Sequence, residues 1–421
     1  MRSIHFGFIK ILILSAITFL ITTSCDVNDP KKDNPKPEGY QEDIPWPSLA
    51  DSPWPTIFGN PLGNNRSKYT GPSNGIIEWT QDSVFLQSGI TIGNSNLIYG
   101  MSQYPITKAF CLNVSNGKFI WQNSSFGNDY TEINQCPILL HDGTVIVSSG
   151  TYGQIHCLYP DGKIKWSFDP QTKIWNRGWA VNKSGTLFFT DIKTNTINAL
   201  NNKGTLEWSI PLNYRLNPIA VLVFSPDGKT VYIQGMDVSL IAFDIETKSV
   251  KWTFGNEWLN SFPLVDSQGH IYILTKDINS NNKHSLYSLN PDGTIHWAYE
   301  HNNRFFTESD FTLSMDYEGT TYFAFDSLYA IDYSGNLKWR KPLNSFSTGV
   351  LLTDKNCDIY LITVYGENGV LFSKFKKNGD KVLESTLLVD GNPYFGAITS
   401  DGKMIVSSWR YAEKDWIYCI K

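Results

Sequence analysis

The chain has 421 residues, 41% of them apolar and 14% aromatic, which excludes a disordered or fibrous protein and supplies a sizeable core. With 35 basic against 40 acidic residues and no basic block, it lacks the electrostatic footprint of a nucleic-acid binder, and no nucleic-acid partner is expected.

Residues 1–24 are a different material from the rest. Arg2, His5 and Lys10 precede an apolar run from Ile11 through Ile21, the layout of a cleaved secretory signal. The stretch ends Thr22-Thr23-Ser24-Cys25. Small residues directly before a cysteine resemble a bacterial lipobox, which implies cleavage ahead of Cys25 and a lipid on its thiol. Thr22 stands where that pattern usually has Leu, and the alternative is an ordinary signal followed by a chance cysteine. Residues 25–44 are rich in Pro, Lys, Asp and Asn and too poor in large apolar side chains to offset their ordering entropy, which predicts a flexible tether. A folded body is expected over residues 45–421.

That body repeats itself. AFCLNVSNGKFIW (109–121), IHCLYPDGKIKW (155–166), INALNNKGTLEW (197–208), LIAFDIETKSVKW (240–252), LYSLNPDGTIHW (286–297) and LYAIDYSGNLKW (328–339) are copies of one unit. Their tryptophans, with Trp79 ahead of them, are Trp79, Trp121, Trp166, Trp208, Trp252, Trp297 and Trp339, spaced by 42, 45, 42, 44, 45 and 42 residues. A further step of about 44 lands on Leu383, a weakened eighth copy. A second column of small residues runs Cys111, Cys157, Ala199, Ala242, Ser288, Ala330, Ser373 and Cys419. Upstream, two apolar runs flank Asp-Gly or Asp-x-x-Gly in PILLHDGTVIVSS (137–149), LVFSPDGKTVYIQG (222–235), FPLVDSQGHIYILT (262–275) and AITSDGKMIVSS (397–408), which predicts hairpins because glycine supplies the positive φ of the turn. Four strands every 44 residues with no helical period describe a β-propeller blade.

Counting predicts the closure. The last unit ends at Cys419 with three strands, and the first tryptophan motif, GIIEW (75–79), has no three strands before it. Placing GIIEW as the outer strand of the last blade closes an all-β ring of eight four-stranded antiparallel blades and hides its edges.

DGTVIVSSGTYGQIHCLYPDGKIKW (142–166) and the opening SPWPTIFGNPLGNNRSKYTGPSNGIIEW (52–79) resemble the repeat and first segment of the pyrroloquinoline-quinone-type (PQQ-like) propellers, the quinoprotein dehydrogenase-like fold. The resemblance implies that the tryptophans from Trp79 to Trp339 dock against a neighbouring blade. In blade count, length and anchor the chain is also similar to the propeller lipoproteins of the outer-membrane barrel-assembly machinery. That likeness implies a scaffold in envelope assembly.

Quinone-dependent dehydrogenases in this fold hold their cofactor with adjacent cysteines, a tryptophan under the quinone and a calcium ligand set. The chain has no adjacent cysteine pair and lacks long insertions, so no enzyme activity, cofactor or metal is expected. Cys111, Cys157 and Cys419 are expected as free buried thiols where a neighbouring blade leaves room only for a small side chain, and Cys136 and Cys357 as free thiols too. Asp142, Asp161, Asp227, Asp292 and Asp401 precede turn glycines and are expected to cap local backbone.

Function is expected on the segments that cross from each tryptophan to the next inner strand, all on one face. They hold Tyr130, Trp175, Arg177, Trp179, Tyr214, Arg215, Trp258, Arg304, Phe305, Glu308 and Tyr394, and Trp, Tyr and Arg are common interface anchors. The opposite face is expected to carry mostly short Asp-Gly turns. The expected protein is a monomeric, non-catalytic propeller, anchored through Cys25 in the bacterial envelope, most simply at the outer membrane, that binds a protein or peptide. The alternatives are a glycan or small-molecule binder with Trp175, Trp179, Trp258 and Tyr394 stacking on sugars, and the quinone enzyme. An open aromatic funnel would favour the glycan reading; a plugged axis would favour the protein-binding one.

Overall fold

The four apolar runs of each repeat form four antiparallel strands. A computed structural model describes residues 36–86, 89–102, 106–126, 135–149, 153–171, 178–218, 220–259, 261–277, 283–302, 312–343, 348–364, 369–387, 392–409 and 415–421. Blade I spans residues 91–123, blade II 138–168, blade III 179–211, blade IV 223–254, blade V 264–302, blade VI 314–342 and blade VII 348–387. In blade II the strands are Ile138–Leu139, Val145–Ser149, Gln154–Leu158 and Ile164–Phe168, paired in that order. The eighth sheet joins Asn392–Ile398, Met404–Trp409 and Asp415–Ile420 to Ile77–Val84. The N-terminal strand therefore completes the C-terminal blade as the sequence count requires, and no blade lacks its outer strand.

Each blade is built on a row of three residues across strands two, three and four. In blade IV the register sets Tyr232 opposite Ala242 and Ala242 opposite Trp252. Residues directly opposite on one face lie close, and the outer two rings meet over the middle residue, with centroids 5.8 Å apart. The same happens for Tyr99 and Trp121 over Cys111, Phe188 and Trp208 over Ala199, Tyr272 and Trp297 over Ser288, and Tyr322 and Trp339 over Ala330, at 5.6–6.2 Å. In these five blades the middle residue is small because two rings of its own blade close over it, a tighter reason than the neighbouring blade, whereas in blades II and VIII Ile146 and Ile405 stand opposite Cys157 and Cys419 in place of the first ring.

Blade VII departs from the expected alignment. There Tyr360 faces Lys374, and Lys374 faces Leu383, so the third-strand position belongs to Lys374 and not to Ser373. Leu383 is smaller than tryptophan and leaves room for the lysine stem, whose ammonium lies 5.0 Å from the Tyr360 ring centroid and 3.1 Å from Asp358. The stem buries carbon while the charged end finds partners.

The tryptophans tie blade to blade. Six of them donate from Nε1 to a carbonyl in the turn between strands three and four of the next blade, at 2.7–3.0 Å: Trp79 to Val114, Trp121 to Pro160, Trp166 to Asn202, Trp252 to Pro291, Trp297 to Tyr333 and Trp339 to Lys377. Each indole lies on the turn glycine, Gly117, Gly162, Gly204, Gly293, Gly335 or Gly379, so closely that an added Cβ would sit 2.5–2.9 Å from the ring. Trp208 meets Lys248 instead, which takes the same positive φ of 57° and sets its ammonium 5.6 Å from the ring centroid. Leu383 repeats the contact at the seam: Gly75 lies against it, and a Cβ there would come within 3.3 Å of the leucine.

Every outer strand also carries one extra residue beside this position, shown by a register shift in all eight blades. Such a bulge re-aims a side chain. Lys165 reaches Asp142 at 3.0 Å, Lys251 the Thr230 hydroxyl at 3.2 Å and Lys338 that of Thr320 at 3.1 Å, each clipping the outer strand to the first hairpin of its own blade.

Candidate interaction face and the plugged axis

Alternating strand direction gives the ring two faces. The turns joining strands one to two and three to four share one, here the turn face; the turns joining two to three and the blade-to-blade segments share the other, the loop face.

The turn face is not bare. Residues 44–72, which carry no alternating pattern but prolines 45, 47, 53, 55, 61 and 72, lie across it and bond to the inner strand of one blade after another. Trp46 Nε1 donates to Val181 O at 2.8 Å. Ile92 N donates to Trp54 O, Leu139 N to Pro55 O, Phe224 N to Pro61 O, Val265 N to Leu62 O, Met315 N to Asn64 O and Thr353 N to Asn65 O, all at 2.8–3.0 Å. Blades I to VII are therefore each held by this one segment. Phe58, only 4% exposed and held at φ 58° in a short 3-10 turn, packs on Phe262 at 5.2 Å and on Phe395 of blade VIII at 6.3 Å. Together these residues plug the axis. In the sequence the segment reads only as the lead-in to the repeat, and the expectation of mostly short turns on this face is corrected. Its available signal was the run of prolines, which cannot donate to a ladder but whose carbonyls can accept from one.

The folded body begins at Glu38, ahead of the expected boundary at Pro45. Gln41 is fully buried and bonds to Gly39 O and Gln268 through its amide, while Ser267 N donates to its Oε1 at 2.8 Å. Behind it the buried Arg66 guanidinium donates to Glu42 O at 3.1 Å and to Asp316 O at 3.3 Å, and stacks 4.2 Å over Tyr317. The Tyr317 hydroxyl donates to Asp43, and burial above all raises its pKa. A cleft of about 700 Å³ opens on this face, lined by Asp43, Trp46, Pro53, Pro61, Arg66 and His141 among others.

On the loop face the expected site residues divide. Tyr130, Trp175, Arg177, Arg304, Phe305 and Glu308 lie outside the described residues, as do Cys25 and the signal segment. Trp258 sits on a short strand paired with Lys276. Trp179 belongs to the core: it is 2% exposed, lies in the inner strand of blade III and donates to Cys136 O at 2.9 Å, so it offers no ring to a ligand. Tyr214 and Tyr394 are half-buried, the latter edge-on to Phe395 at 4.7 Å. Arg215 is exposed and clasped to Asp237 by Nε at 2.8 Å and by its backbone N at 2.9 Å. Because Asp237 lies in the turn between strands two and three, this clasp ties a blade-to-blade segment to the loop face of blade IV.

The groups that could do chemistry are occupied structurally. Cys111, Cys136, Cys157, Cys357 and Cys419 are free and buried; burial raises the thiols of Cys111 and Cys419 to about 12 and that of Cys357 to about 11, far from a reactive thiolate. Asp142, Asp161, Asp227 and Asp292 accept the backbone N–H two residues on, at 3.0–3.1 Å, and Asp401 accepts the Thr399 hydroxyl. His156 lies between Ser149 and Ser167 hydroxyls at 2.7 Å each, and burial lowers its pKa to about 4. Among the described residues no three His, Cys, Asp or Glu side chains converge as metal ligands.

These features define an eight-bladed β-propeller whose ring is shut by its own first strand and whose axis is plugged from one side. The family described as outer membrane protein assembly factor BamB matches residues 151–378, more than half of the sequence, and the chain belongs to that family. Among solved structures, BamB from Moraxella catarrhalis is similar over 82% of this chain and 100% of its own, at 12% identity and a TM-score of 0.59. The Dos1 propeller covers 83% of this chain at 12% identity with a TM-score of 0.58, and its own chain is covered to 94%. The computationally designed Ika8 protein covers 85%, with 99% of its own chain, at 10% identity and 0.57. At these identities the likeness is one of fold. No curated protein matches the sequence.

Proposed function

We propose that the chain is a non-catalytic envelope protein, anchored at the outer membrane through a lipid on Cys25, that holds a protein or an extended peptide against its loop face during envelope assembly. The observation that carries this reading is the plug. Phe58 and the segment around it close the axis from the turn face, so the axis is not an open channel through the ring. A sugar-stacking site around the axis is disfavoured for the same reason, and because Trp179 is locked in the core. Membership of the assembly-factor family supports a scaffold over a quinone enzyme, as do thiols that are separate, buried and unreactive.

The test is in-cell photo-crosslinking from Tyr214, Arg215 and Tyr394, with Trp175, Trp258 and Phe305 as further positions. Adducts to one envelope protein from several of these positions are expected. Absence of a protein adduct from every position would sink the reading.

A further inference from the structure

The start of the folded body is fixed at one place on the rim. Gly39 has a φ of +83° and is pressed so closely on Tyr333, in the turn between strands three and four of blade VI, that a Cβ would sit 2.7 Å from that ring. Two residues on, Gln41 N donates to Tyr317 O at 2.9 Å and its buried side chain bonds to the first hairpin turn of blade V. Gln268 in that turn donates back to Tyr40 O at 2.9 Å, and Ser267 Oγ accepts from Glu42 N at 3.1 Å. Asp43 is held by the Tyr317 hydroxyl. Every one of these partners lies on the turn face, in blades V and VI. The path from the ring to Cys25 therefore starts on the turn face, at the margin shared by those two blades.

Reach then decides the orientation. Between Cys25 and Glu38 lie thirteen residue steps, which span at most about 45 Å when fully extended and about 20 Å as a flexible coil. Strands of five or six residues with their turns make the ring roughly 30 Å tall. A bilayer on the loop-face side would require the linking residues to descend that whole height outside the rim, well beyond their coil dimension and at about two thirds of full extension. A bilayer on the turn-face side requires nothing of the kind.

We infer that the blade V and VI margin of the turn face is the surface that meets the lipid bilayer, and that the loop face points away from it, open to partners. This rests on Cys25 being the lipid anchor. The inference adds an orientation to that reading, and it assigns the cleft beside Arg66 to the membrane side.

The experiment uses the full lipidated protein on phosphatidylethanolamine and phosphatidylglycerol vesicles that carry a paramagnetic quencher on a fraction of the headgroups. A fluorophore is placed at S334C, exposed in the same blade VI turn as Tyr333, or at K193C, exposed in the turn between strands two and three of blade III on the loop face. The five described native thiols are buried and leave these positions as the labelled ones. Quenching at S334C severalfold stronger than at K193C is the expected result. Equal quenching, or stronger quenching at K193C, on protein that floats with the vesicles overturns the orientation and leaves the anchor intact. Protein that fails to float, or a Cys25→Ser variant that floats as well as the parent, removes the anchor and the orientation with it.

Discussion

Lys403 Nζ lies 2.7 Å from Glu78 Oε2, an ion pair between the first hairpin turn of the last blade and the first strand of the chain. One residue along, Trp79 sits directly opposite Cys419. Glu78 is the extra residue of the bulge in its strand, so the closing blade uses the same clip by which Lys165, Lys251 and Lys338 hold the others. Both side chains are partly shielded, and the pair is worth on the order of 1 kcal/mol. Lys403→Glu is expected to lower the urea midpoint, and the exchange Glu78→Lys with Lys403→Glu to recover most of the loss. A double exchange no better than the single change would deny that the pair spans the seam.

The docking turns predict opposite effects of two glycine changes. Gly293 has a φ of +86°, with Trp252 where a Cβ would go, so Gly293→Ala should cost about 1–3 kcal/mol through backbone strain and lost docking. Lys248 occupies the equivalent place with a φ of 57°. Lys248→Gly should gain up to about 1 kcal/mol from the relieved backbone, less the contribution of its ammonium over Trp208. Thermal melting of the two variants checks both directions.

Blade VII predicts a coupled pair. Leu383→Trp alone should destabilise, because the stem of Lys374 fills the space over which the indole and Tyr360 would meet. Adding Lys374→Ala restores the ring-over-small-residue row of blades I and III to VI and should recover at least about 1 kcal/mol of the loss. A double-mutant cycle measures this, and simple additivity would contradict the proposed exchange of roles.

His156 sets an acid limit. Its folded pKa of about 4 lies below the unfolded value, so between these values the unfolded chain binds the extra proton. Stability is full above pH 6.5 and is lost as the pH falls toward 4, by at most about 3 kcal/mol from this residue. Replacing His156 with Gln, which keeps hydrogen bonds to Ser149 and Ser167 without titrating, should flatten the decline in melting temperature between pH 7 and pH 4.5.

Much of this fold was legible because each blade solves the same packing problem with the same residues. The spacing of Trp79 to Trp339 marks the docking indoles, and the unmatched ends of the chain mark the closure. Blade VII falls one residue out of the small column because Lys374 and Leu383 exchange volume there, and such compensation leaves no trace in a column of small residues. The plug was hidden for a different reason. Residues 44–72 satisfy their backbone one blade at a time, so no periodic signal survives, and Phe58 resembles any loop aromatic until the inner strands converge on it. The loop face was located from the direction of the strands, but composition could not separate Trp179, which fills the core, from Arg215, which faces solvent.

Closure is most directly tested by hydrogen exchange on a variant that lacks only residues 415–421, the strand to which Ile77–Val84 is bonded. The amides of Ile77–Val84 are predicted to lose their protection, while those of blades III and IV, on the far side of the ring, keep most of theirs. Undiminished protection of Ile77–Val84 would mean that this strand pairs elsewhere, and would contradict a ring shut by its own N-terminal strand.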